Sequence, residues 1–229
     1  MDDALGSAST FVLTIEPDPD PGPSNTHLMG GDLAGGTGRL SVGHTAALGD
    51  DFIGASGSYI LAVPSDDTGS AAHSQGIWWL DPGAGPGPSL DLPAGWAYER
   101  WVVRPSGPVS TSAVTALDAA DSDAGGPAAG TNATPPLPGQ DFIDPAMVLI
   151  GYAAVISIEP APDNRPAPFT LKPLIDGNIE DASGGVLQAM GNAAPDSPAG
   201  SAAPEPATAL MLLAAVAAVT QRRRSGTTV

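Results

Sequence analysis

Proline and glycine cut this chain into short pieces. Together they make up 54 of 229 residues (29 Gly and 25 Pro), and most β-branched or apolar runs end at one of them. Proline fixes φ and has no N–H to give to a ladder, so a run that it closes reads as a short strand. Thr10–Ile15 is closed by Glu16-Pro17-Asp18-Pro19, Ser58–Val63 by Pro64, and Gly76–Leu80 by Asp81-Pro82. Gly38–Gly43 alternates as a short strand does. In Trp96–Val103 the alternation puts Trp96, Tyr98, Arg100 and Val102 on one face and Ala97, Glu99, Trp101 and Val103 on the other. Pro108–Thr115 follows a Pro-Ser-Gly turn and is predicted to pair back as a hairpin. Met147–Ile158 carries the last strong signal, with Ala153–Ile158 as its centre, and Phe169–Lys172 is placed to close a sheet.

No window before residue 204 shows an amphipathic helical period. The pattern therefore predicts an all-β fold, an Ig-like antiparallel β-sandwich over residues 9–179 with long Pro/Gly-rich loops. Residues 1–8 are expected to be disordered. Residues 180–203, rich in Ala, Gly, Ser and Pro, are expected to form a flexible stalk. One short echo runs through the chain: Ile15-Glu16-Pro17-Asp18-Pro19-Asp20 against Ile158-Glu159-Pro160-Ala161-Pro162-Asp163. Its physical content is one strand exit made twice, with proline ending the pairing and a carboxylate on the rim.

Charge is distributed unevenly. All 25 acids lie in residues 1–206 beside five bases (Arg39, Arg100, Arg104, Arg165, Lys172), so that part carries 5 − 25 = −20. Such a surface repels nucleic acid and anionic lipid and favours cations. With no cysteine, disulfides, zinc-thiolate sites and cysteine nucleophiles are excluded.

The C-terminal stretch has a different character. Pro204-Glu205-Pro206 precedes an unbroken Ala/Leu/Met/Val run, and Arg222-Arg223-Arg224 follows it. Ala207–Thr220 is 14 residues, about 21 Å as a helix against a hydrocarbon core of about 30 Å. That makes a short anchor which snorkelling arginines would help to seat. An arginine cluster stays cytoplasmic and places residues 1–206 on the far side. The other reading is a buried core helix ending in basic residues. The order of tripeptide, apolar helix and arginines resembles the PEP-CTERM sorting signal. The resemblance implies recognition by an exosortase, processing near Pro204, Glu205 and Pro206, and delivery of the body to the cell surface or an exopolysaccharide matrix. Met1–Gly6 has neither a basic nor an apolar segment of a signal peptide. The start is therefore expected to be internal to a longer reading frame, or the signal trimmed.

The centre of the chain resembles the extracytoplasmic domain of anti-sigma-K factors. The matching pieces are Asp91-Leu92-Pro93, Tyr98-Glu99-Arg100-Trp101-Val102-Val103, Gly107-Pro108-Val109-Ser110, and Ile156–Pro160 through Pro166-Ala167-Pro168. This resemblance implies a β-sandwich ectodomain. It does not carry over anti-sigma activity, which belongs to a separate cytoplasmic helical domain. Tyr98 and Trp101 read most simply as core packing.

Sequence motifs for chemistry are sparse. His27, His44 and His73 lack metal-ligand spacing, and Gly54-Ala55-Ser56-Gly57-Ser58 misses the nucleophile elbow by register. Asp118, Asp121 and Asp123, ahead of Gly125-Gly126, offer carboxylates for a weak calcium site, with a solvated acidic turn as the alternative. The reading is a non-catalytic, exported surface or matrix protein with a binding module. It needs no cofactor beyond that calcium, and its partners are an exosortase, the membrane through the C-terminal helix, and surface polysaccharide or matrix proteins, with no nucleic acid. A regulatory ectodomain related to anti-sigma factors is the alternative, and a secreted hydrolase with a spatially assembled site is a third.

Overall fold

The computed structural model describes residues 8–16, 22, 24–80, 92–104, 106–114, 132, 138–161 and 167–203. The acidic Asp118–Asp123 loop, residues 1–7 and the tail from Pro204 through Arg222, Arg223 and Arg224 lie outside them. In chain order the strands are β1 (Thr10–Thr14), β2 (His27–Asp32), β3 (Gly38–Ser41), β4 (Ser58–Leu61), β5 (Gly76–Leu80), β6 (Trp96–Arg104), β7 (Gly107–Val114), β8 (Gly139–Asp141), β9 (Ala153–Pro160), β10 (Leu171–Asp176), β11 (Leu187–Ala189), β12 (Gly191–Asn192) and β13 (Ala199–Ala202). Two single 3₁₀ turns, His73–Gln75 and Ala194–Asp196, are the only helical elements among the described residues. None of these is long and apolar enough to cross a membrane.

The strands form three antiparallel sheets, ordered β1-β2-β3-β13, β12-β10-β9-β6-β7 and β11-β4-β5-β8. The second sheet is built on the longest pairing among the described residues. β6 runs against β9 from Trp96↔Pro160 to Val103↔Ala153, and β7 folds back on β6 as the predicted hairpin. The inward faces of all three sheets meet in one apolar cluster that includes Met29, Leu40, Leu61, Trp79, Ile156 and Leu174. Burying a side chain of Leu or Ile size contributes about 1.5–3 kcal/mol, so this shared cluster ties the sheets together. Alternation along β6 holds as predicted: Tyr98 joins the common cluster, while Trp101 is buried on the opposite face, where its Nε1 donates to Ser157 Oγ at 2.8 Å.

Two parts of the sequence reading need correction. Residues 180–203 are not a flexible stalk in this structure. β11 pairs with β4, β12 with β10 and β13 with β3, so this one segment adds an edge strand to each of the three sheets in turn. Its Ala, Gly and Ser side chains say little about strand formation, but an edge strand is held by its backbone, which every residue supplies. The second correction concerns Glu159, which is not on the rim. It lies inside β9, 1% exposed, and the strand continues through Pro160.

β2 and β8 were also not foreseen. β2 contains Gly30-Gly31, which reads as a loop, yet the glycines are what let β3 and its turn approach. A Cβ on Gly31 would sit 1.9 Å from the Arg39 carbonyl oxygen, and one on Gly30 2.7 Å from His44 Nδ1.

Candidate functional site

The connection between β3 and β4, residues 42–57, is folded by its own backbone and pinned from outside. Val42 and Leu48 insert into the core, and Leu48 N donates to the Val42 carbonyl at 3.1 Å. Ala47 N and Gly49 N donate to the His44 carbonyl at 2.8 and 3.2 Å. Two aspartates then set consecutive side-chain turns: Asp50 Oδ1 accepts from Phe52 N at 2.6 Å and Asp51 Oδ1 from Ile53 N at 3.1 Å. Phe52 between them has φ of 58° and is 2% exposed. A bulky residue in the left-handed region costs about 1–3 kcal/mol and persists only where its surroundings over-determine it. Here the ring is buried, and Asn192 of β12 donates its Nδ2 to the carbonyls of Phe52 (3.0 Å), Ile53 (2.9 Å) and Ala55 (2.9 Å).

This turn forms one wall of an open cleft of about 500 Å³ lined by Ser41, Gly43, Gly49, Asp50 and Asp51. Each aspartate uses one oxygen for its own turn, which leaves a second oxygen toward solvent chemistry. The lining is rich in acceptors. It suits a cation or a ligand carrying several hydroxyl donors, and it disfavours anions. The sequence reading passed over Asp50 and Asp51. The available signal was a pair of adjacent acids between a glycine and a phenylalanine.

The histidines occupy two places. His27 Nδ1 is 2.8 Å from the Ala46 carbonyl oxygen, which can only accept, so that nitrogen carries the proton. Ala46 N donates to His44 Nδ1 at 3.2 Å, which puts the proton of a neutral His44 on Nε2, 3.4 Å from Asp32 Oδ1. The two imidazoles thus hold Ala46 in opposite tautomers beside the cleft loop. His73 stands apart, against the segment that leads into β11, with Nε2 3.4 Å from Asp181 Oδ1. Among the described residues no group of three His, Asp or Glu is arranged to hold a metal ion. The candidate calcium ligands Asp118, Asp121 and Asp123 are outside those residues.

A second polar cluster is buried on the outer face of the second sheet. Ser157 Oγ, which receives the Trp101 N–H, donates to Glu159 Oε1, and the same oxygen accepts from Phe169 N at 2.8 Å. Glu99 is opposite Ser157 in register and buried on this face, while Arg100, the next residue of β6, is buried on the face of Tyr98 and opposite Ile156. Burial pulls the Arg100 guanidinium down to about 10. In the third sheet Asp141 plays a similar part, accepting from Ser65 N at 2.9 Å and Trp78 Nε1 at 3.2 Å. Set against family models, curated proteins and solved structures, the chain matches none of them.

Proposed function

We propose that this chain is a non-catalytic, exported surface or matrix protein: an Ig-like β-sandwich binding module carried by a PEP-CTERM tail and released from it by an exosortase. The observation that carries the reading is the junction between body and tail. β13 ends at Ala202, and Pro204-Glu205-Pro206 follows after a single residue. An extended chain from Ala202 to Pro206 spans at most about 14 Å, so no long tether separates the tripeptide from the last paired strand. Proline on either side of Glu205 keeps the segment extended, as a protease cleft requires.

On the binding side, the cleft at Asp50 and Asp51 supplies acceptors for the hydroxyls of a surface polysaccharide. Asp118, Asp121 and Asp123 remain the candidate ligands for calcium, the one ion this reading calls for. Mass spectrometry of the mature protein from its native host tests the sorting step. No peptide beyond about Ala207 is expected, and replacing Arg222, Arg223 and Arg224 by Ser should leave the chain unprocessed or misoriented. An intact C terminus at Val229 in the surface fraction would overturn the reading.

The second reading is a sensory ectodomain related to anti-sigma factors. It is favoured by the direct pairing of β6 with β9, which joins the Tyr98–Val103 and Ile156–Pro160 pieces of that resemblance. Co-purification of a sigma-factor regulator with the membrane-bound chain would support it.

A further inference from the structure

The first sheet ends in two strands that are open in complementary ways. Ser9 O accepts from Leu33 N at 2.8 Å, which fixes Phe11↔Gly31 and Leu13↔Met29 as the bonded pairs of β1 and β2. The backbone groups of Thr10, Val12 and Thr14 therefore point away from β2, and among the described residues no strand pairs with them. Phe11 and Leu13 share the face of buried Met29 and are 41% and 40% exposed, with no strand paired beyond β1 among the described residues.

At the other edge, Gly30↔Ser41 fixes the alternation through β3. Gly200 and Ala202 of β13 then turn their backbone groups to Leu40 and Gly38, while Ala199 and Ser201 turn theirs outward. Thr10–Thr14 and Ala199–Ala202 contain no charge and no proline in a chain of net charge −17. These are the devices by which edge strands usually avoid each other, and both strands lack them.

We infer that the β1 edge of one copy accepts the β13 edge of a second copy. The sheet has four antiparallel strands, so its two edge strands run in opposite directions. A second copy placed in the same orientation therefore meets β1 with an antiparallel β13, and the added strand covers Phe11 and Leu13. The contact is heterologous, joining different surfaces of the two copies, so it propagates into an open-ended sheet instead of closing as a dimer. The neutral edges avoid the repulsion that the acids impose elsewhere. The inference rests on the sheet alone and stands whatever becomes of the tail.

Sedimentation velocity of the full 229-residue chain, held in mild detergent for the sake of its tail, provides the test. Species larger than dimers are expected, growing with protein concentration and with screening salt. Val12→Pro and Ser201→Pro each remove an outward N–H without breaking a bond inside the sheet. Each should weaken assembly about tenfold or more, with an unchanged circular dichroism spectrum. Thr10→Pro repeats the block if Val12→Pro does not fold. An equal mixture of the Val12→Pro and Ser201→Pro chains retains one working edge of each kind and should stop at heterodimers. A chain that stays monomeric at every concentration, or assembly that ignores these substitutions, would overturn the inference. So would dimers sensitive to Val12→Pro but not to Ser201→Pro, which mark a symmetric β1–β1 contact.

Discussion

The chain leaves a strand through Glu-Pro at two places, and the two exits are built alike. At the first, Thr14 Oγ1 donates to the Glu16 carboxylate, and Ser24 N, beyond the loop, donates to Oε2 at 2.8 Å. At the second, Ser157 Oγ donates to the Glu159 carboxylate, and Phe169 N, beyond its loop, donates to Oε1 at 2.8 Å. In each case a hydroxyl two residues upstream and an amide 8 or 10 residues downstream converge on one side chain, which clasps the loop. The surroundings differ. Glu16 follows an edge strand and is half-buried, whereas Glu159 lies in a strand flanked on both sides by β6 and β10 and is 1% exposed. The local motif thus sets the clasp, and the position of the strand in its sheet sets how much the clasp is worth. A buried acceptor deserts its donors in a place water cannot reach; a half-buried one hands them to solvent.

The comparison is open to direct test. Glu159→Ala strips the acceptor from Ser157 Oγ and Phe169 N inside the fold and should cost about 3 kcal/mol, read as a lower urea midpoint at constant slope. Ser157→Ala breaks the same cluster one step back, leaving the Trp101 N–H without this acceptor, and should cost about 1–2 kcal/mol. Glu16→Ala should cost only about 0.5–1 kcal/mol. Equal losses for Glu16→Ala and Glu159→Ala would break the comparison.

The smallest effect belongs to a carboxylate that gathers donors from the downstream side only, on an exposed loop. Asp66 accepts from Ala71 N and from the amide and hydroxyl of Thr68, and these bonds hold its carboxyl at about 2. Because the folded value lies below the unfolded one, near 3.9, its contribution is present above about pH 4 and is lost as pH falls through about 2. NMR titration of the Asp66 carboxyl and the Thr68 amide should show both moving together in that window. A midpoint near 4 would mean that these exposed bonds confer nothing.

These exits also show what was legible in the sequence. The repeated Glu-Pro was visible, and so were most of the strands: β1, β4 to β7, β9 and the start of β10 fall where β-branched, apolar and aromatic runs place them, and β3 where alternation does. The depth of Glu159 was not visible, because it depends on β10 and β6 lying on either side, and pairing partners distant in sequence leave no local mark. The same limit hid β2, whose Gly30 and Gly31 serve the approach of another strand, and the closing strands β11 to β13, whose small residues contribute backbone more than side chain. The cleft went unread for a related reason. Asp50 and Asp51 are unremarkable as letters, and they matter because Asn192, 140 residues from Phe52, fixes the turn between them and β4.

That final segment has a mechanical meaning. Tension on the chain from its C-terminal side enters the body at Ala202, where four residues of β13 lie along β3. Once β13 unzips, the load reaches β12, held by two register pairs to β10 and by the fork of Asn192, and only then β11. Each strand sits in a different sheet, so each release leaves the other two sheets closed. A pull is absorbed in steps, and each step draws on the shared core, because Gly200 pairs with Leu40 and because Ala194 and Met190 of this segment belong to the same apolar cluster.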